Sequence, residues 1–189
     1  MSRVMTSMSM SLDGFVTGPD DSRENPFGKG GDVLHDWLFK HRTDEDDAIL
    51  TEMINENGAV VMGRWSFDKC VDVWGPNGPV DGGPCFVVTH HAPTESYPSA
   101  YKFVTDGVAS AIEQAKAAAG DKVVGLHGAT MPQQALELGL LDEIHLAVVP
   151  VLLGGGTRMF DHLGGPITLE RTRVVDSPGA THLFYDVVR

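Results

Sequence analysis

Lys122-Val123-Val124-Gly125-Leu126-His127-Gly128-Ala129-Thr130-Met131-Pro132-Gln133 is the stretch that decides the fold. Lys122-Val123-Val124 reads as a short strand buried on both faces, the habit of parallel sheets. Gly125 to Thr130 is a corner rich in small residues. Thr130-Met131-Pro132-Gln133 reads as a capping box with proline in the first turn of a helix that ends near Gly139. Strand, tight corner and helix in immediate succession are the grammar of an α/β protein.

The pattern extends in both directions. Ala59-Val60-Val61-Met62, Cys85-Phe86-Val87-Val88 and Lys102-Phe103-Val104 are similar short apolar runs. Upstream, Val4, Thr6, Met8, Met10 and Leu12 alternate with Met5, Ser7, Ser9 and Ser11, a period of two that predicts a strand. Glu143 to Val149 predicts a further strand. Segments 167–175 and 181–188 flank the turn signal Ser177-Pro178-Gly179 and read as a closing hairpin. A short helix is expected over Val33 to His41. Another follows Thr43, with an acidic first turn from Asp44 to Asp47, apolar residues at Ile49, Leu50, Met53 and Ile54, and Gly58 as its stop. Val108, Ile112, Ala115 and Ala119 mark a third, stopped by Gly120. The order β, α, α, β, β, β, α, β, α, β, β, β predicts one α/β domain over 1–189, with a mostly parallel central sheet and an antiparallel C-terminal hairpin. Gly18 to Gly31 and Gly75 to Pro84 read as loops, the first mobile.

Composition narrows the function. The chain has 189 residues, a formal net charge of −12, 42% hydrophobic and 21% charged residues. These values exclude a disordered chain or a coiled coil. No apolar run is long enough for a membrane span, and the opening residues do not read as a signal peptide. Two cysteines, Cys70 and Cys85, make no disulfide framework, so the cytoplasm is the default compartment. The acidity argues against nucleic-acid and membrane partners and requires any anionic ligand to be held locally. G-x-G-x-x-G, Walker A, G-x-S-x-G and H-E-x-x-H are absent, and the eight histidines have no metal-ligand spacing. No metal is expected.

What remains is three corners after short strands: Met62-Gly63-Arg64-Trp65-Ser66-Phe67, Val87-Val88-Thr89-His90 and Gly125 to Thr130. Glycine permits close backbone approach, and helix-start N–H groups attract phosphate. Arg64 adds a cationic fork, or is simply a surface arginine at a helix start. Corners at the carboxyl ends of parallel strands point to an anionic cofactor. Met5, Met8 and Met10 read as core or pocket filling, His145 as a surface or interface residue, and Asp44 to Asp47 as a charge cluster at a helix start.

The sequence resembles the dihydrofolate reductase-like superfamily, most closely the C-terminal reductase domain of the bifunctional riboflavin-biosynthesis deaminase/reductase. Five blocks carry the resemblance: Ser11-Leu12-Asp13-Gly14, Met62 to Phe67, Val87-Val88-Thr89, Gly128-Ala129, and Gly139 to Ile144 running on to Pro150 through Phe160. It implies a three-layer fold, a homodimer and an NADPH-dependent reductase acting on a small heterocycle, carbonyl or imine, with pterin- and pyrimidine-like compounds as examples. It places Gly63, Arg64, Trp65, Ser66, Thr89 and His90 along the adenosine end of NADPH, with Arg64 on the 2′-phosphate. It gives the pyrophosphate to the backbone of Gly128, Ala129 and Thr130, with His127 next to them at the cofactor corner, and the nicotinamide to the residues around Leu12, Asp13, Gly14 and Val16. The Gly154 turn, with Leu152, would shape the substrate end or a dimer contact. One block departs from the pattern: His127 stands where the family has glycine. The ring then turns away, touches the cofactor or weakens its binding. Reduction also needs a proton source. Asp36 is the candidate acid, with Trp37 and Phe39 as a flat apolar wall; equally, Asp36 is a solvated residue beside two core aromatics. Asp13 reads as ordering its Asp-Gly turn. No zinc deaminase signature occurs. The alternative function is a ligand-binding protein of the same fold that has lost catalysis.

Overall fold

The computed structural model describes residues 2–80, 83–161 and 163–188. Eight strands form one sheet in the order β5-β4-β3-β6-β1-β7-β10-β9. β1 (Val4–Ser11), β3 (Asn57–Gly63), β4 (Cys85–Val88), β5 (Tyr101–Val104), β6 (Val123–His127) and β7 (Glu143–Val149) pair in parallel. The hairpin of β9 (Leu169–Asp176) and β10 (Thr181–Val187) adds antiparallel to β7. β2 (Phe15–Thr17) and β8 (Thr157–Arg158) make a separate two-stranded ribbon. This is a three-layer α/β fold, a mostly parallel sheet with helices on both faces.

Period two sorts the core. Along β3, Ala59 and Val61 join one apolar cluster, while Val60 and Met62 join another. Ile144 and Leu146 of β7 share the first cluster, and Ala147 and Val149 pack in a third. The first cluster receives α4 (Val108–Ala119) and α5 (Thr130–Glu137), through Ala111, Ile112, Ala115, Met131 and Ala135. The other face carries α1 (Asp36–Phe39), α2 (Asp44–Glu56) and α3 (Arg64–Trp74).

Several local expectations change. The helix α3 was missing from the predicted order; its stripe of Phe67, Val71 and Trp74 is interrupted by Asp68, Lys69 and Asp72. Val33 to His41 is not one helix but a 3-10 turn (Gly31–His35) followed by the single turn α1, with no side-chain cap on either. Gly58 does not stop α2. It lies inside β3, where a Cβ would come 2.7 Å from Lys122 Cβ and 3.0 Å from Ala119 Cβ. The capping box predicted at Thr130 does not form: Ala129 is the N-cap and no side chain bonds there.

The true capping box is at α2. The Thr43 side chain accepts from the Asp46 amide, and the Asp46 carboxylate accepts from the Thr43 amide. Asp46 is therefore no surface charge. It is fully buried and accepts a 2.8 Å hydrogen bond from His182 Nε2. His145, read from the sequence as a surface or interface residue, is buried within the chain, because it shares the face of β7 that α1 and α2 cover. Burial alone would raise the Asp46 pKa; bonds from Thr43, His182 and Ser177 outweigh it and hold the carboxyl below its usual range. Asp46→Ala removes a cap and strands a buried imidazole N–H. It should cost about 3 kcal/mol in a urea titration, and Asp46→Asn, which keeps the cap, should cost less.

Candidate active site

β3 and β6 run side by side, with Met62 opposite His127. Their carboxyl ends therefore deliver two helices to one place. Gly63 is the N-cap of α3 and Ala129 that of α5, and neither helix start has a side-chain cap. Gly128 sits between them at φ 85°, where a Cβ would lie 2.7 Å from Ser66 Oγ. The positive φ is what requires glycine at this position, since the Ser66 hydroxyl can rotate aside. A cavity of about 150 Å³ opens here, with Gly63, Trp65, Ser66, His127, Gly128, Ala129, Thr130 and Met131 along one side and Met8, Val16, Thr17 and Thr157 along another.

The segment after β2 covers it. Pro26, Phe27 and His35 also line the cavity, with the Phe27 and His35 rings 4.3 Å apart. The 18–31 segment, expected to be mobile, is tied down. Its backbone closes through Gly18 N to Phe27 O (2.8 Å) and Lys29 N to Pro19 O (2.8 Å). Arg23 pairs with Asp72 of α3, and Asp21 accepts from both Lys69 and Trp65 Nε1. Gly156 passes so close to this segment that a Cβ would lie 1.9 Å from Thr17 O.

The polar groups of the cavity are unusual for so acidic a chain. Lys69 is buried and held by Asp21. His127 meets Trp74 edge to face at 5.0 Å. Burial, then the positive Lys69 and His35, push its pKa down to about 4. Burial also lowers His35. Cys70, the remaining titratable wall residue, is raised by burial and so is no thiolate. Three buried atoms in the wall have no hydrogen-bond partner among the described residues: Thr17 Oγ1, His35 Nδ1 and His127 Nδ1.

The sequence-nominated residues divide. Val16, Gly63, Trp65, Ser66, His127, Gly128, Ala129 and Thr130 meet at the cavity. Arg64 lies just outside it, with Nε donating to Asp68 Oδ1 at 2.7 Å. Thr89 closes its own turn against His91, and His90 is exposed. Leu12 is exposed. Asp13 fastens two loops: its carboxylate accepts from Ser11 Oγ, Leu153 N and Gly154 N, which hold its pKa down at about 2. Gly14, at φ 90°, lies beside Arg158. The nominated acid is displaced: Asp36 bonds Lys40 at 2.7 Å and does not line the cavity. Trp37 is core, with Nε1 donating to Ser9 Oγ, and Phe39 and Leu152 are exposed. Gly154 makes the Asp13 contact and is not in the cavity wall. Sequence reasoning missed Asp21, Phe27, His35 and Lys69 as cavity residues. Their only signal was a glycine-rich loop long enough to fold back.

The family model of the RibD C-terminal domain matches residues 2–182. The chain belongs to the RibD C-terminal domain family. YyaP of Bacillus subtilis strain 168 is 25% identical over 197 residues, covering 97% of this chain and 94% of YyaP. Among solved structures, a putative riboflavin biosynthesis protein from Shewanella sp. PV-4 superposes with a TM-score of 0.78 at 20% identity, over 99% of both chains. A dihydrofolate reductase from Enterococcus faecalis, solved with NADP(H), gives 0.59 at 13% identity, over 98% of this chain and 96% of that one. Membership of the RibD C-terminal domain family supports a reductase-type function.

His127 gives the site a pH signature. An unfolded histidine titrates near 6.5 and the folded ring at about 4. Between those values the unfolded chain takes a proton that the folded chain refuses. Stability is therefore full above pH 6.5 and declines as the pH falls toward 4. His127→Phe should remove a share on the order of 1–2 kcal/mol of that decline, read as denaturation midpoints at pH 7 and 4.5.

Proposed function

We propose that the protein is an NADPH-dependent reductase of small carbonyl or imine compounds, working in the cavity between α3 and α5. The observation that carries this reading is the meeting of two helix starts without side-chain caps, across Gly128, whose φ of 85° disfavours any side chain. Free N–H groups at helix starts bind phosphate, and a dinucleotide brings two phosphates in one bridge. The residues fit such a group: Gly128, at φ 85°, leaves the backbone open to close approach, and the wall holds three buried polar atoms without a hydrogen-bond partner among the described residues.

In this reading Gly128, Ala129 and Thr130 hold the pyrophosphate, and Ser66 lies beside it. Arg64 engages Asp68 through Nε, which leaves its terminal nitrogens for a 2′-phosphate. Met8 and Val16 form the apolar wall for the nicotinamide, and Phe27 and Pro26 keep water out. Bound reduced nicotinamide supplies a hydride to an electrophilic carbon. The oxygen or nitrogen left behind needs a proton. Lys69 is the buried amine of the wall, paired with Asp21, and takes the role that the sequence suggested for Asp36.

Thermal unfolding with NADPH, with NADH and with neither tests the cofactor. At 100 times Kd, NADPH should add about 2.7 kcal/mol, or roughly 5–10 °C in Tm. Arg64→Ala should weaken NADPH about tenfold and leave NADH nearly unchanged; equal losses count against the 2′-phosphate contact. With a substrate found by NADPH oxidation across carbonyls and imines, Lys69→Met should lower kcat at least 100-fold and Asp36→Asn should leave it unchanged. Tight NADPH binding without turnover on any compound would favour the ligand-binding alternative.

A further inference from the structure

The helix starts, Gly128 and Lys69 leave part of the cavity wall unused. Thr17, His35 and His127 also line the cavity, and each keeps one buried polar atom without a hydrogen-bond partner among the described residues. An unpaired buried polar group is costly, and most such groups in folded proteins find a partner. Three in one concave wall call for a ligand that supplies the partners.

The chemistry of that ligand follows from what the three atoms offer and from the field around them. A hydroxyl donates, and a neutral imidazole donates from Nδ1 when its proton sits there. Lys69, in the same wall, adds further N–H donors beyond the one that Asp21 accepts. A group that meets all of them is an acceptor with several lone pairs. Charge points the same way. Lys69 and His35 are the two groups that act on His127 by charge, and both add to burial in holding its pKa down at about 4. Trp74 meets the ring edge to face, and the neighbouring Cys70 is raised by burial and stays a neutral thiol. Asp21 is the only carboxylate among the described wall residues, and its Oδ2 already accepts from Lys69 and from Trp65 Nε1. An anion is what this wall lacks. A carboxylate fits: it accepts only, and its two oxygens offer about four lone-pair sites. The closed 18–31 segment and a volume of about 150 Å³ keep the molecule that carries it small.

Resting on the reductase reading above, we propose that Thr17, His35 and His127 form a carboxylate subsite and that the substrate is a small 2-oxo or 2-imino acid. Lys69 acts on His127 by charge, so the anchored carboxylate and the atom that receives the proton lie close together, as they do when the carbonyl or imine carbon is the carboxylate's neighbour. That carbon gains hydride from the reduced nicotinamide. The C=O or C=N electron pair moves onto the oxygen or nitrogen, and Lys69 gives that atom its proton. Each 2-hydroxy or 2-amino acid formed consumes one NADPH, which becomes NADP+. The carboxylate is unchanged and serves as the anchor. It also brings His127 the negative charge that its surroundings lack, so binding draws a proton onto the ring.

The test uses oxamate, a non-reacting carboxylate of this shape, and oxamide, its uncharged counterpart. Each is titrated by calorimetry into the protein with NADP+ present, at pH 6, in two buffers of different ionisation enthalpy. Oxamate should bind at least tenfold more tightly than oxamide and with net proton uptake. His127→Phe should remove the uptake and weaken oxamate at least tenfold, and His35→Phe should weaken it to a similar extent. In turnover, pyruvate and 2-oxobutanoate should be reduced with a KM at least tenfold below that of pyruvamide. Equal binding of oxamate and oxamide, or oxamate binding unaltered in His127→Phe, overturns the proposal. A greater loss of NADPH than of oxamate in His127→Phe gives the subsite to a cofactor phosphate and overturns it as well. NADPH binding without oxamate binding removes the subsite alone, whereas absence of NADPH binding removes the reductase reading and the substrate class with it. The oxamate and oxamide comparison on the parent protein decides even where a variant fails to fold.

Discussion

Met62 stands opposite His127 across the β3–β6 ladder, and the candidate site depends on that register. It sets the strand ends level, so that Gly63 and the His127-Gly128-Ala129 corner emerge side by side. Ser66 then comes against Gly128, and α3 and α5 begin at the same cavity although they pack on opposite faces of the sheet. A parallel ladder makes this possible because its strands finish at one edge, where ligands of open sheets collect. A one-residue slip would exchange the two faces of β6 and turn His127 away from α3.

The opposite demand is met on the α2 side. There a line of polar side chains crosses from β1 through β7 and β10 to the start of α2, and each buried member has a partner. Asp46 serves both the capping box and His182, so the helix start and the sheet are fixed by one carboxylate. Trp37 packs edge to face on His182 at 4.9 Å, and Gly179 leaves room for it. This satisfied region contrasts with the cavity, whose wall carries three buried polar atoms with no partner among the described residues. Satisfied polar groups hold a fold, whereas unsatisfied ones in a concave wall mark where a ligand supplies the missing partners.

The glycine corners were legible because glycine and a strand-to-helix change leave a local mark. Gly63, Ser66, Gly128 and Thr130 could be named from residue types alone. Asp36 could not be judged in the same way. Its local context, a carboxylate before two aromatics, says nothing of Lys40 reaching back to it or of Trp37 turning into the core. Lys69 and Asp21 were invisible for the complementary reason: 48 residues separate them, and only the folding of the 18–31 segment onto α3 makes them partners. The box at Thr43 and the open start at Thr130 carry similar sequence signals. Backbone geometry decides between them, because Thr43 is extended and accepts from Asp46, whereas Thr130 is already inside its helix.

The sequence by itself determined where the eight strands of the main sheet lie, the alternation along β1, where the chain must turn tightly and which family the blocks resemble; the β2–β8 ribbon came only with the structure. Those properties follow from periodicity and from φ/ψ limits acting within a few residues. The tertiary structure decided which charges are neutralised, which histidines are buried and which carboxylate or ammonium reaches the cavity. Those outcomes depend on partners far apart in the chain, because burial and pairing are fixed only when distant segments exclude water together.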